Sequence, residues 1–497
     1  MNIIMLSLNI TNHKENMNYN FTKILCLFFL GLNFHASSQN VVEVTFIERR
    51  TKENISAAFG VAAQFDVKLY KMLYETPDIQ GNLDTASGLF IIPDDPTGTF
   101  PLLSYSHGTV NDRNDVPSLL EGGSELAIVF GSIGYVTTAA DFLGLGTARG
   151  IHPYVHADSE ASASIDMMYA MRTYAGTDPA ITLNDQVFIT GYSQGGHAAM
   201  ATHRKIEQDL SDDFTVTATA PMSGPYSISQ EMRIFTTGDD PYLFVGYLGS
   251  LVLSYQAAYG NIYSELEDIF KPGFAADIRS FENEEITLLQ LTLQLGFKLQ
   301  LQGGVIPKNM LQDDIREIVV NDGEHPLMDA LRDNDVFDWA PTAPTRLFYC
   351  MADDQVTFRN AILADSVMNA NGAIDLEAID VNSLEDHGGC VNPATRATIA
   401  FFAQFQEVAV GTNEVFTQDL FEVYPNPASE ILTIQMETAR TDVFTVQLFD
   451  VYGKLVKTEV ASGNSVVLEV GGLPVGMYLL SINDGTVRGV EKINIQR

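Results

Sequence analysis

The sequence predicts an α/β fold, in which a mostly parallel sheet of eight strands has helices on both faces, followed by a small all-β unit. Short β-rich runs alternate with helical stretches from about residue 42 to 410, which is typical of parallel strands joined by crossover helices. The segment 225–341 is mostly helical and interrupts this alternation between two strands. After residue 411 only strand and turn patterns remain.

Eight runs rich in β-branched and aromatic residues are predicted to be short, buried strands: 66–74, 88–92, 102–106, 135–139, 187–192, 216–222, 345–351 and 374–379. Five stretches between them have the periodicity of helices: 121–133, 160–174, 195–208, 356–371 and 395–406. This order of elements predicts one large sheet.

Composition and charge exclude several classes of protein. The 497 residues include 28 Lys and Arg against 63 Asp and Glu, for a net charge of −35, so nucleic acid is not an expected partner. The apolar fraction of 46% supplies enough material for folded cores and excludes wholesale disorder. Beyond the N-terminus no apolar run is long enough to span a membrane, and no metal-binding pattern or cofactor motif stands out.

Residues 1–38 are predicted to be a secretion signal. Lys23 precedes the apolar run 24–32, and the small residues at 36–38 suit cleavage before Gln39. A buried helix is the alternative, but the run is too short for a typical core helix. Removal of the signal would take away Cys26 and leave Cys350 and Cys390 in an oxidising compartment.

The segment 225–341 is predicted to be an inserted helical cap, because a loop of that length needs structure of its own. Within it, residues 289–302 alternate with period two, so a strand pair competes with a helix. Its large side chains either line an acyl pocket or form the core of the cap: Leu248, Leu251, Tyr255, Tyr259, Leu288 and Leu291.

Residues 411–420 are predicted to be a linker and residues 421–497 a sandwich-sized all-β domain. Its candidate strands are 432–435, 445–449, 465–470, 476–482 and 489–495, with turns at 451–453 and 483–485.

The strongest chemical signal is Gly191-Tyr192-Ser193-Gln194-Gly195, which follows a predicted strand and begins a predicted helix. This is the context that a G-x-S-x-G nucleophile requires. A serine on so sharp a turn leaves no room for side chains at the two glycine positions, and the helix N-terminus beneath it favours developing negative charge. The alternative is a chance glycine-rich turn.

A serine hydroxyl needs a base, and in this kind of fold the acid and then the histidine follow the serine along the chain. Four histidines follow Ser193. His197 and His203 lie on the helix of the nucleophile and His325 lies in the cap, which leaves His387. We expect His387 in an accessible loop after the last strand, although solvation of a surface loop is the alternative interpretation.

The acid is expected directly after the strand 345–351, where Asp353 and Asp354 are both candidates. If the acid and His387 share a hydrogen bond, Cys350 and Cys390 are brought close together. We therefore hypothesise a disulfide between them, with two buried free thiols as the alternative. The segment 141–154 ends another strand at the same sheet edge and is interpreted either as loop packing or as a ligand contact.

Taken together, residues 60–408 resemble the secretory lipase family of the α/β-hydrolase superfamily. The resemblance is carried by the turn 107–109, the elbow 191–195, the segment 220–224, the Asp353 turn and the loop of His387. It implies a catalytic domain over 39–410 with a lid at 225–341. It also favours Asp353 over Asp354, because an Asp three residues before a Val resembles the acid turn of these hydrolases.

The same resemblance implies that Ser193 attacks an ester carbonyl, His387 transfers the proton and Asp353 orients the imidazole. The oxyanion would be held by backbone N–H groups of Gln194 and Thr109, the latter from a His-Gly turn similar to that of the family. The implied substrate is a small-molecule or lipid ester, and no cofactor is implied. One departure is Cys350, where hydrolases often have Gly.

The tail resembles a type IX secretion sorting domain through three blocks, 423–428, 448–454 and 473–478. This implies that the secretion machinery is a partner and that the protein is attached to the surface of a Gram-negative bacterium or released from it. A carbohydrate-binding sandwich is the alternative, but the tail has no Trp for an aromatic platform.

The predicted function is therefore a secreted carboxylic-ester hydrolase of lipase or esterase type. A serine peptidase on the same fold is one alternative, although no acidic or basic pair indicates a site for a peptide terminus. A catalytically silent surface-binding protein is the other.

Overall fold

The structure is a computed structural model that describes residues 40–409, 421–483 and 488–497. The larger sheet has nine strands in the order β1-β2-β3-β5-β4-β6-β7-β8-β9. The strands are β1 (Val41–Arg50), β2 (Val67–Pro77), β3 (Leu83–Pro93), β4 (Thr99–Ser106), β5 (Val136–Ala140), β6 (Thr182–Tyr192), β7 (Val216–Met222), β8 (Thr345–Tyr349) and β9 (Leu376–Asp380). From β5 to β9 all neighbours in this order are parallel, whereas β1, β2 and β3 are antiparallel to their neighbours.

The ninth strand corrects the prediction of eight. Sequence patterning missed β1, an edge strand that pairs only with β2 and has no fully buried residue. A strand whose residues are all exposed or only partly buried lacks the apolar run by which buried strands are detected. The eight predicted strands correspond to β2 through β9.

Helices cover both faces of the sheet. They are α1 (Lys52–Phe59), α2 (Ser124–Ser132), α3 (Ala157–Ala175), α4 (Gln194–Asp209), α5 (Arg233–Thr236), α6 (Gly246–Tyr259), α7 (Pro272–Glu282), α8 (Leu288–Gln300), α9 (Asp313–Val320), α10 (Pro326–Asp333), α11 (Arg359–Asn371) and α12 (His387–Phe402). Buried residues of α3, α4 and α11 form one core against the sheet, and those of α1, α2 and α12 form the core of the opposite face. The α/β prediction is confirmed.

Helices α5 to α10 all lie between β7 and β8 and have a hydrophobic core of their own. We call this segment the cap. Leu288 and Leu291 belong to that core, as do the buried rings of Tyr255 and Phe270. The cap is therefore a packed unit and not an extended loop.

Helix α8 settles the ambiguity of residues 289–302 in favour of a helix. One face of α8 buries four leucines: Leu288, Leu291, Leu295 and Leu299. The other face carries an exposed apolar row, Leu289, Leu293 and Phe297, which continues at Leu301 directly after the helix; these four side chains are 59% to 73% exposed. Two apolar stripes on opposite faces of a helix produce the alternation that resembles a strand.

The C-terminal residues form an antiparallel sheet of five strands, namely β10 (Phe421–Tyr424), β11 (Ile431–Asp450), β12 (Leu455–Glu469), β13 (Gly476–Asn483) and β14 (Arg488–Ile495). Two predicted strands, 432–435 and 445–449, are parts of the single long strand β11. Its first half pairs with β10 and its second half with β13, and both halves contribute to one buried core.

The predicted signal 1–38, the predicted linker 411–420 and the end of the predicted turn 483–485 lie outside the described residues, as do residues 39, 410 and 484–487 of the predicted domains. Among the residues that are described, no helix has both the length and the apolar character needed to cross a bilayer.

Candidate active site

Ser193 lies at the sharp turn between β6 and α4 and has a positive φ of 61°. The packing around this turn explains its glycines. A Cβ at Gly191 would overlap the carbonyl oxygen of Gly195, and a Cβ at Gly195 would overlap that of Ser106 at the end of β4. The expectation that neither position has room for a side chain is therefore confirmed.

Three side chains predicted as a catalytic set lie in one hydrogen-bonded row. The Nε2 of His387 is 2.8 Å from the Oγ of Ser193, and its Nδ1 is 2.7 Å from the Oδ2 of Asp353. The other carboxylate oxygen of Asp353 accepts hydrogen bonds from the backbone N–H groups of Gln355 and Val356, at 3.0 and 2.8 Å. The carboxylate is thus fixed in the orientation that meets the imidazole.

The prediction that His387 lies in an accessible loop is wrong. His387 is the first residue of α12 and is only 6% exposed. The side chain of Asp386 caps this helix by accepting from the N–H of Gly389 at 2.8 Å, and the hydroxyl of Tyr192 donates to the carbonyl oxygen of His387 at 2.5 Å. Asp354 accepts from the backbone N–H of His387 at 3.3 Å, so it contacts the backbone of this residue and not its ring.

The predicted disulfide is present between Cys350 and Cys390. Cys350 directly follows β8, three residues before Asp353, and Cys390 lies in the first turn of α12 with His387. The bond therefore joins the turn that carries the carboxylate to the helix that carries the imidazole.

The residues predicted to form an oxyanion hole lie next to the nucleophile in the chain or in space. Gln194 begins α4, and a Cβ on Gly108 would lie 3.6 Å from the Cβ of Ser193, which places the turn of Thr109 beside it. The hydroxyl of Thr109 is 3.0 Å from that of Tyr154. The donation of both backbone N–H groups to an oxyanion stays a prediction.

Sequence analysis missed a buried polar contact at Gln194. Its side-chain Nε2 donates to the Nε2 of His152 at 2.9 Å and to the Oε1 of Glu160 at 2.8 Å. His152 belongs to the segment 141–154, which had been interpreted as loop packing or a ligand contact. No local pattern indicated this contact, because Glu160 lies beside Asp158 in the polar first turn of α3, where acidic residues are common.

Two clefts meet at this site. The apolar cleft contains Ser193 and has an empty space, open mouth included, of about 910 Å³. Its walls are mainly aliphatic and include Ile228, Val245, Leu248, Leu251, Leu327 and Leu331. The polar cleft contains Thr109 and is lined by groups such as Asn111, Arg113, Glu282, Glu284 and Gln290. Tyr154 and Gln194 line both.

Comparison with known families and structures identifies both parts of the chain. Residues 422–496 match the family model described as a secretion system C-terminal sorting domain. An esterase, LipA from Xanthomonas oryzae, is 30% identical, with a TM-score of 0.63, and the match covers 72% of this chain and 95% of that one. A protein of known structure from Legionella pneumophila is 26% identical, with a TM-score of 0.67, and the match covers 73% of this chain and 98% of the other.

A more distant structure supports the fold alone. Lipase A from Candida antarctica is 16% identical, with a TM-score of 0.54, and the match covers 71% of this chain and 78% of that lipase. No curated protein sequence matches the chain.

Replacing both Cys350 and Cys390 by Ala should lower the free energy of unfolding by about 4 kcal/mol, because the bond closes a loop of 40 residues in the unfolded chain. Denaturant unfolding with and without reductant measures this. Reductant should destabilise the wild type and leave the double variant unchanged. Equal stability of the two proteins without reductant would contradict the expectation.

The buried ring of His152 should make stability depend on pH. Burial lowers the pKa of His152 to about 4, whereas the unfolded chain takes up this proton near pH 6.5. The unfolded state therefore binds more protons between these values, and stability is lost as the pH falls.

Unfolding free energies at pH 6.5 and pH 5 check this. The wild type should lose about 2 kcal/mol more over this interval than His152→Gln, whose amide can still accept from Gln194 and donate to the carbonyl of Leu143. The same pH dependence in both proteins would rule out the assigned protonation.

Proposed function

The chain is an α/β hydrolase that ends in a type IX secretion sorting domain, and from that premise we propose that it is a serine esterase of the secretory lipase family. The observation that carries the proposal is the pair of hydrogen bonds that link Ser193, His387 and Asp353. Nε2 of His387 is 2.8 Å from Oγ of Ser193, and Nδ1 is 2.7 Å from Oδ2 of Asp353. In this proposal residues 39–410 form the catalytic domain and residues 421–497 engage the secretion machinery. The sorting domain directs the protein to the cell surface or the extracellular space.

Ser193 would attack the ester carbonyl while Nε2 of His387 takes the hydroxyl proton. The same nitrogen then gives this proton to the departing alcohol, which leaves an acyl group on Ser193. Water attacks the acyl group, loses a proton to His387 and releases the carboxylic acid, and the proton returns to Ser193. Asp353 keeps Nδ1 protonated throughout and stabilises the imidazolium.

The tetrahedral intermediates place a negative charge on the former carbonyl oxygen. We propose that the backbone N–H groups of Gln194 and Thr109 bind this oxygen, and the position of Gln194 at the N-terminus of α4 supports this. The apolar cleft suits an acyl chain, because its walls can exclude water from a hydrocarbon without leaving polar groups unpaired.

The proposed nucleophile is tested with p-nitrophenyl esters of increasing chain length. Ser193→Ala and His387→Ala should each lower kcat by at least about 1,000-fold, and the double variant should be no worse than either, because the groups act as one unit. Asp353→Asn should also lower kcat strongly. Asp354→Asn is the matched control and should retain most of the wild-type kcat, because its amide oxygen still accepts from the N–H of His387.

Aminoacyl p-nitroanilides assayed in parallel separate the alternatives. Turnover of anilides without turnover of esters would replace the esterase by a peptidase. If the wild type hydrolyses neither substrate and a fluorophosphonate does not label Ser193, the proposal fails and the silent binding protein takes its place.

The exposed apolar row of α8 supports the proposal that the substrates are esters at a lipid surface. Lys298 is the only charged residue of α8, in a chain of net charge −35, and its ammonium is paired with Asp277 at 2.5 Å. The start of α8 borders the polar cleft, where the N–H groups of Leu288 and Leu289 donate to the backbone and side-chain oxygens of Asn111. Insertion of the exposed apolar row of α8 into a lipid–water interface would therefore hold the polar cleft, and the site that it adjoins, at the lipid surface.

The double substitution Leu293→Gln and Phe297→Gln tests this. It should lower the rate on emulsified tributyrin by about tenfold and leave the rate on dissolved p-nitrophenyl butyrate unchanged, because only the first requires adsorption. Ile374→Gln, which alters an exposed apolar side chain outside the cap, is the control. Equal loss on both substrates would instead indicate damage to the site.

A further inference from the structure

A buried carboxylate holds the first turn of α4 at two points. Glu160, in the first turn of α3, is only 1% exposed. Its Oε1 accepts from the side chain of Gln194 at 2.8 Å, and its Oε2 lies 2.7 Å from Nδ1 of His197. Gln194 directly follows Ser193 and His197 lies three residues further along the first turn of α4, so Glu160 links this turn to α3.

The neighbours of these groups determine where the protons lie. Nε2 of His197 is 2.8 Å from the carbonyl oxygen of Asn334, which can only accept, so that nitrogen carries a proton. Nδ1 of His152 faces the carbonyl of Leu143 in the same way, and its Nε2 therefore accepts from Gln194. One further proton lies between Glu160 and His197, and the pair is neutral whichever atom holds it.

The hydrogen-bond network of Glu160, Gln194 and His197 continues into the cap. The side-chain oxygen of Asn334, at the end of α10, accepts from the N–H of Ala157 at 2.8 Å, and its amide nitrogen donates to the hydroxyl of Tyr259 at 2.9 Å. Since Ala157 begins α3, Asn334 joins two cap helices to the helix that carries Glu160.

We propose that Glu160 is a positioning residue, which orients the backbone N–H of Gln194 toward the oxyanion by fixing both Gln194 and His197. This inference rests on the proposed esterase function. A donor must be preorganised to stabilise the oxyanion, because a donor that has to reorient during the reaction loses most of its effect. The amide of Gln194 is held between Glu160 and His152, so the residue that carries the N–H has little freedom.

Glu160→Ala should lower kcat by about 10- to 100-fold and leave KM nearly unchanged, since the contact matters most when charge develops on the oxygen. Affinity for a trifluoromethyl ketone should fall by a similar factor, because its adduct with Ser193 carries an oxyanion in the same place. Glu160→Gln should restore both, because its amide accepts from Gln194 and donates to Nδ1 of His197.

Glu207 provides a matched control on the same helix. It pairs with the buried His203 at 2.9 Å and accepts from the N–H groups of Thr342 and Ala343, but it lies about 20 Å along α4 from Gln194. Glu207→Ala should lower the melting temperature and leave kcat and inhibitor affinity at wild-type values. A purely structural role of Glu160 would give the same result as Glu207→Ala.

The inference is overturned if folded Glu160→Ala has the wild-type kcat, or if its kcat falls while its affinity for the trifluoromethyl ketone stays unchanged. The wild type and Ser193→Ala are assayed first. If the wild type shows no activity that depends on Ser193, the proposed function fails and the inference fails with it. If that activity is present, the Glu160 variants decide the inference alone.

Discussion

Close backbone packing at the turn between β6 and α4 is the constraint on which the site depends. The carbonyl oxygens of Gly195 and Ser106 fill the space where side chains at 191 and 195 would lie, and Ser193 itself takes a positive φ. Strand β4, which ends at Ser106, must therefore run directly beside the nucleophile, and the chain that follows it brings Gly108 against Ser193. One steric requirement thus sets both the exposure of the serine and the position of the neighbouring loop.

The cap and the sheet have separate hydrophobic cores, and the polar contacts between them touch the site. The hydroxyls of Tyr242 and Tyr247 donate to the backbone and side-chain oxygens of Gln355, two residues after Asp353. The carbonyl oxygen of Asn334 binds His197, three residues after Gln194. The cap therefore contacts the turn of the proposed acid and the turn of the proposed oxyanion donor. The apolar cleft is lined largely by residues of the cap core, together with Ser193 and Gln194.

Features that are determined by local backbone conformation or by the order of residues along the chain were predictable from the sequence. The glycines around Ser193 and the order of Ser193, Asp353 and His387 along the chain pointed to residues that do lie together. The helical start at His387 was missed, because Gly388, Gly389 and Pro393 lie in the first two turns of that helix and are poor helix formers. The contact of Glu160 with Gln194 joins residues 34 positions apart through the packing of α3 on α4, which no local pattern encodes.

The proposed triad is built from two parts that are held by different means. Asp353 and His387 belong to elements joined by the disulfide, and the carboxylate is fixed further by two backbone N–H groups. Ser193 belongs to the other part, between β6 and α4, where its backbone N–H donates to the carbonyl oxygen of Met222 at 3.0 Å. Tyr192 connects the parts, because its hydroxyl binds the carbonyl oxygen of His387 while its backbone precedes the nucleophile. The distance between base and nucleophile is therefore set within the α/β core, and displacement of the cap would first disturb the neighbours of Asp353 and Gln194.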